Sequence, residues 1–181
     1  MQGKRIVTVA LILTAPLAGP LAAQPGITAE QAVAMRQLST VRISPDGKRV
    51  AYVVTTSDLK ESSKNADIWV VSAQGGEPVR LTNHKASDDQ PAWSPDGKWI
   101  AFTRSRGDYF DICIVPAAGG DAKVITEGED PSWAPNSRTL IFARRTSKFG
   151  PRKLSLLDWP TGHVKDIAQV AGSSSQPSWS R

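Results

Sequence analysis

A short turn pattern returns along this chain. Ile43-Ser44-Pro45-Asp46-Gly47-Lys48 reappears as Trp93-Ser94-Pro95-Asp96-Gly97-Lys98 and as Trp133-Ala134-Pro135-Asn136-Ser137-Arg138, and Trp179-Ser180 opens a further copy. Equivalent positions lie 50, 40 and 46 residues apart. A repeat of that length holds one supersecondary unit, which cannot bury its apolar faces alone and must stack on its neighbours. The repeat therefore constrains the fold more than any other feature.

Each copy reads as a tight hairpin turn. Pro45, Pro95 and Pro135 preset φ at the second turn position, Asp46, Asp96 and Asn136 can bond to local backbone, and Gly47 and Gly97 accept positive φ. In the third copy Asn136-Ser137 stands in place of Asp-Gly, so a residue with a Cβ must take the strained conformation, and this hairpin is expected to be the weakest. After each turn comes a run of strand character, Arg49 to Thr55, Trp99 to Thr103 and Thr139 to Ala143. A third strand follows (67–71, 111–115, 153–157), then a turn at Gly75-Gly76, Gly119-Gly120 or Thr161-Gly162, then a fourth strand (79–82, 123–126, 164–167). The segments ending in Trp93, Trp133 and Trp179 open the next unit. The expected fold is all-β: three four-stranded antiparallel blades of β-propeller type and the first strand of a fourth. Six Trp, 14 Gly and 13 Pro suit many short strands joined by turns.

Two N-terminal segments stand outside the repeat. Lys4 and Arg5 precede an apolar run from Ile6 to Ala15 and a small-residue stretch ending at Ala23, which reads as a secretory signal over residues 1–23 and implies a periplasmic or secreted protein. The run is too short to span a bilayer, so no membrane span is expected after its removal. Thr28 with Gln31 has capping-box form, and a helical lead-in over 24–38 is expected to cover an open end of the array that occupies 39–181. Losing Lys4 and Arg5 takes the net charge from +5 to +3, too mild for a nucleic-acid partner. The single Cys113 reads as a buried strand thiol.

No nucleophile elbow, zinc helix motif or phosphate loop occurs, and His84 and His163 are isolated, so no catalytic residue, metal or cofactor is assigned. Trp93, Trp133 and Trp179, one per unit, fill the space between blades better than they serve as ligand platforms. Antiparallel meanders put the loop between second and third strands at the same end as the link between units. The first kind of loop carries Arg104, Arg106, Arg144, Arg145, Lys148, Arg152 and Lys153, and the second carries Asp88, Asp89, Glu127, Glu129 and Asp130. That charge-patterned end is the candidate docking face for a protein or peptide.

The W-S-P-D-G-K-x-I-A-F pattern, the Asp67-Ile68-Trp69-Val70-Val71 strand, the Gly-Gly turn and the Arg80-Leu81-Thr82 segment resemble the propeller repeat of the TolB family over Ser39 to Arg181. That resemblance implies a periplasmic, non-catalytic, protein-binding propeller of the Tol-Pal type. The stretch from Ile27 to Leu38, with Val41 to Gly47 and Asn65 to Trp69, is also similar to the start of exported prolyl oligopeptidase family enzymes. There the propeller gates a separate hydrolase domain, so no catalytic residue transfers to this chain. Three blades and one strand fall short of the four to eight of closed propellers. Either self-association completes the ring, or the chain is a truncated or split piece of a longer protein.

Overall fold

The computed structural model describes residues 27–167 and 172–179; the expected signal segment lies outside them. The first element is α1 (Ala29–Ala34). Thr28 Oγ1 accepts from the Gln31 N–H and Gln31 Oε1 accepts from the Thr28 N–H, which is the reciprocal cap read from the sequence. The helix stops short of residue 38 because Gln37 and Leu38 are already paired across from Thr55 and Val54. A helix this short gains little from its own hydrogen bonds, and the ladder wins. It packs against the second strand of the first blade, the open end it was expected to cover.

Three separate four-stranded antiparallel sheets follow. Blade one holds β1 (Gln37–Ile43), β2 (Arg49–Asp58), β3 (Ser63–Ser72) and β4 (Val79–Arg80). Blade two holds β5 (Asp88–Trp93), β6 (Trp99–Arg106), β7 (Tyr109–Pro116) and β8 (Lys123–Glu127). Blade three holds β9 (Glu129–Trp133), β10 (Thr139–Arg145), β11 (Arg152–Asp158) and β12 (His163–Asp166). Each sheet is a meander in sequence order. The first strands of successive blades touch one another and the fourth strands do not, so β1, β5 and β9 line the inside of an arc. Residues 176–179 lie where the first strand of a fourth blade belongs, without a ladder: among the described residues no strand pairs with them.

Alternation along the strands explains the stacking. Ala51, Val53, Ile68 and Val70 of blade one meet Ile100, Phe102, Cys113 and Val115 of blade two in one core. The opposite face of blade two, Ala101, Ile112 and Ile114, meets Leu140, Phe142 and Leu157 of blade three in the second core. Cys113 is fully buried in the first core, and burial pushes its thiol up to about 12, which leaves it an inert core residue. The tryptophans bind each blade to the one before. Trp93 Nε1 donates to Arg42 O, Trp133 Nε1 to Ala92 O and Trp179 Nε1 to Ser132 O, each acceptor being the residue before the equivalent repeat position. Arg49 adds a clamp, lying 4.8 Å over the Trp93 ring and donating to Gly97 O and Ala117 O. At the next junction Trp99 and Trp159 do the same work edge to face, with centroids 5.2 Å apart.

The repeated turns behave as their residues dictate. Ser44 and Ser94 hydroxyls donate to Asp46 and Asp96, whose carboxylates accept the N–H of Lys48 and Lys98. In blade three Asn136 Oδ1 takes over that role for the N–H of Arg138 and Thr139, and Ser137 carries the left-handed conformation at φ 54°. Ser137 has a compensation the sequence hid: its Oγ accepts the Asp96 N–H from blade two. Ser137→Gly should be close to neutral, because relief of about 1 kcal/mol of strain is offset by the lost hydrogen bond of similar size. Ser137→Ala keeps the strain and loses the bond, so its urea midpoint should fall by about 1 kcal/mol in stability terms relative to Ser137→Gly.

The same turn region carries a pH signal. Arg138 and Thr161 donate to the Asp158 carboxylate and hold it down at about 2. A depressed carboxylate contributes stability above its ordinary value near 4 that is lost as pH falls through about 2. Carboxyl chemical-shift titration should place the Asp158 midpoint near 2 in the native protein and move it up toward the ordinary value in Arg138→Gln.

Candidate docking surfaces

The β2–β3 type hairpins and the blade links do meet at one end of the arc: Asp88 sits opposite Arg104, and Asp111 opposite Glu127. The expected free patchwork of charge is not what they form. Asp88 is fully buried and accepts two hydrogen bonds from Arg104, at 2.7 and 2.9 Å. Both residues are closed in at the junction of blades one and two, so this pair is withdrawn from any docking face. Beside it, burial pushes the Asp67 carboxyl up despite the Arg80 guanidinium 2.6 Å away, with the Asp88 charge adding to the rise.

The remaining expected residues mostly neutralise one another. Arg106 pairs with Asp111 at 3.2 Å and reaches Glu127 at 3.9 Å. Arg152 pairs with Glu129, while Arg144 and Lys153 converge on Asp166. Lys148 reaches Asp108 of blade two at 3.3 Å in an open setting, and among the described residues Arg145 has no carboxylate partner. The remaining two acids turn inward. Asp89 accepts from the Thr40 hydroxyl of blade one at 3.0 Å, and Asp130 accepts from the Gln90 side chain of blade two and from the Gln176 N–H at 3.1 Å. His84 is exposed and its Nδ1 accepts the Ala86 N–H, an ordinary turn bond.

These inward bonds reveal a feature that sequence reasoning missed. Thr40, Gln90, Asp130 and Gln176 occupy one repeat position, three before the tryptophan or its equivalent, and all have positive φ, between 47° and 58°. The first-strand ladder shifts register there in all three blades. Each blade thus carries a bulge on its inner strand that aims a polar side chain along the arc. The Gln-Pro and Asp-Pro dipeptides at 90–91, 130–131 and 176–177 were a visible signal. A residue before proline is normally extended, so its left-handed conformation could not be read from the pair alone.

At the opposite end, inside the arc, the repeated turns enclose a groove of about 860 Å³. Pro45, Pro95, Pro135 and Pro177 line it with Trp93, Trp133 and Trp179, and Arg42, Ser132 and Ser178 are its polar side chains. Trp93 and Trp133 are nearly buried, whereas Trp179 remains 38% exposed. Its proline and tryptophan rungs repeat blade by blade.

The fold agrees with what the chain is related to. The TolB β-propeller domain matches residues 28–130. The chain belongs to the TolB β-propeller family. It is 30% identical over 120 residues to the uncharacterized peptidase YuxL of Bacillus subtilis, an alignment covering 64% of this chain and 18% of that one. The β-propeller domain of the Trilobed protease from Pyrococcus furiosus superposes with a TM-score of 0.60 at 24% identity, covering 73% of this chain and 42% of the other. The putative TolB of Agrobacterium tumefaciens gives 0.54 at 27% identity, over 68% and 46%. The chain therefore spans less than half of each of these proteins. The family is common to periplasmic TolB and to peptidase propellers, and among the described residues no helix is long and apolar enough to cross a membrane.

Proposed function

We propose that these blades are a non-catalytic docking module of the cell envelope that holds a protein or peptide partner in the inner groove. The observation that carries this is the groove itself, built from Pro and Trp rungs of consecutive blades with Arg42 as its one charged group. Rigid aromatic and proline surfaces cost little entropy to dock against, which suits recognition better than chemistry. Trp179 is the exposed reporter: titration with apolar, proline-containing peptides should quench its fluorescence, and Trp179→Ala should weaken binding at least tenfold. Peptide binding unchanged by that substitution would sink the reading.

A second reading is favoured by the relation to YuxL and to the Pyrococcus propeller. In it these are the opening blades of a propeller that admits peptides to a serine peptidase domain on the same polypeptide. Blotting cell extracts with an antibody against residues 24–40 separates the two. A band just below the 19.5 kDa precursor supports the docking module, and a band several times larger supports the peptidase propeller.

A further inference from the structure

At the loop end of the arc, opposite the groove, the blade-three hairpin sets an exposed aromatic side chain among basic residues. The hairpin between β10 and β11 reads Thr146-Ser147-Lys148-Phe149-Gly150-Pro151, and its tip residue Phe149 is 89% exposed, more than any other large apolar side chain among the described residues. The hairpin is built rather than slack. Gly150 N–H donates to Ser147 O, Thr146 N–H donates to Pro151 O, and Arg145 donates to Lys148 O across the turn. A Cβ on Gly150 would lie 2.6 Å from Ser147 Oγ, so the turn closes tightly at that residue.

The electrostatics around that ring have one sign. Residues 144–153 contain five cations and no carboxylate. Arg144, Lys153 and Arg152 are taken by Asp166 and Glu129, which leaves Arg145 and Lys148 beside the tip, with the Lys148 ammonium 5.5 Å from the Phe149 ring centroid. The nearest acid, Asp108, is 73% exposed at its side chain and holds Lys148 only through solvent-screened contact. An aromatic ring beside Arg145, which has no carboxylate partner among the described residues, and Lys148, whose one carboxylate partner is solvent-exposed, is complementary to a ligand that is acidic and carries one large apolar group. A bilayer is the poorer fit, because a single aromatic anchor gives marginal insertion.

We propose that the Phe149 tip, with Lys148 and Arg145, is a second docking point that takes an acidic peptide segment through a large apolar side chain packed on the ring. It goes beyond the groove and stands or falls separately from it. The test is fluorescence anisotropy of the full chain with a labelled peptide alternating Glu with Leu and Trp, against its Lys-substituted analogue and against phosphatidylglycerol vesicles. The acidic peptide should bind and be weakened by salt. Phe149→Ser and the pair Arg145→Glu, Lys148→Glu should each weaken it at least tenfold, Trp179→Ala should leave it unchanged, and the Lys analogue should not bind. Because Phe149 is exposed, Phe149→Ser should unfold at the wild-type midpoint. No binding of the acidic peptide, binding indifferent to Phe149, or Phe149-dependent binding to vesicles in place of peptide would each overturn the proposal. Loss through Trp179 alone would assign the peptide to the groove.

Discussion

Asp88→Ala should be among the most damaging single changes in this chain, lowering stability by about 3–5 kcal/mol. The reason is what it leaves behind. Arg104 is only 11% exposed at its side chain and spends two donors on Asp88. Without the carboxylate its guanidinium is a buried charge at the junction of blades one and two with no bidentate partner. A guanidinium keeps its proton at any ordinary pH, so deprotonation offers no escape. Replacing both groups, as Asp88→Leu with Arg104→Met, should recover most of the loss, since a well-packed apolar pair often matches a buried ion pair. Urea denaturation of the two single variants and the double variant closes the cycle. Additive losses in the double variant would mean the pair is not coupled and the burial argument is wrong.

That ion pair also marks where the sequence was legible and where it was not. The blades were readable because turn chemistry and strand alternation are local: Ser94-Pro95-Asp96-Gly97 needs only its own residues to specify a hairpin, and Ile100 and Phe102 declare a buried face by spacing. The ends of the strands were readable as a place, since meander topology alone brings Asp88 beside Arg104. The fate of their charges was not. Whether a carboxylate faces water or a guanidinium depends on how closely the next blade approaches, a distance no local pattern encodes. The same holds for the inner bulges, where Thr40, Gln90 and Asp130 share a conformation while sharing no residue type. Phe149 was passed over for a different reason: it interrupts a basic loop as a lone apolar residue, and only its exposure on a closed turn gives it meaning.

One repeat position shows how far neighbours set the rules. Five residues before the tryptophan, blade two has Asp88 and blade three has Gly128. Gly128 has φ +155°, and a Cβ there would lie 2.7 Å from Phe142 Cε2 and 3.0 Å from Ala143 O. Phe142 and Ala143 are fully buried, so neither can step aside without opening the second core. Arg144, which occupies the place of Arg104, consequently finds its carboxylate on β12 instead of the inner strand, at Asp166. Gly128→Ala should therefore cost about 1–3 kcal/mol for overpacking and about 1–2 kcal/mol more for backbone strain. That corresponds to a drop in thermal midpoint of roughly 5–15 °C for a chain of this size. Gly75→Ala is the control: its φ is +91° with nothing within 4 Å of the added Cβ, so it should pay the strain alone. Trimming the obstruction in Gly128→Ala, Phe142→Leu should return part of the loss if the ring edge is the cause. Equal midpoints for Gly128→Ala and Gly75→Ala would show that Gly128 does not lie as close to Phe142 and Ala143 as the packing requires.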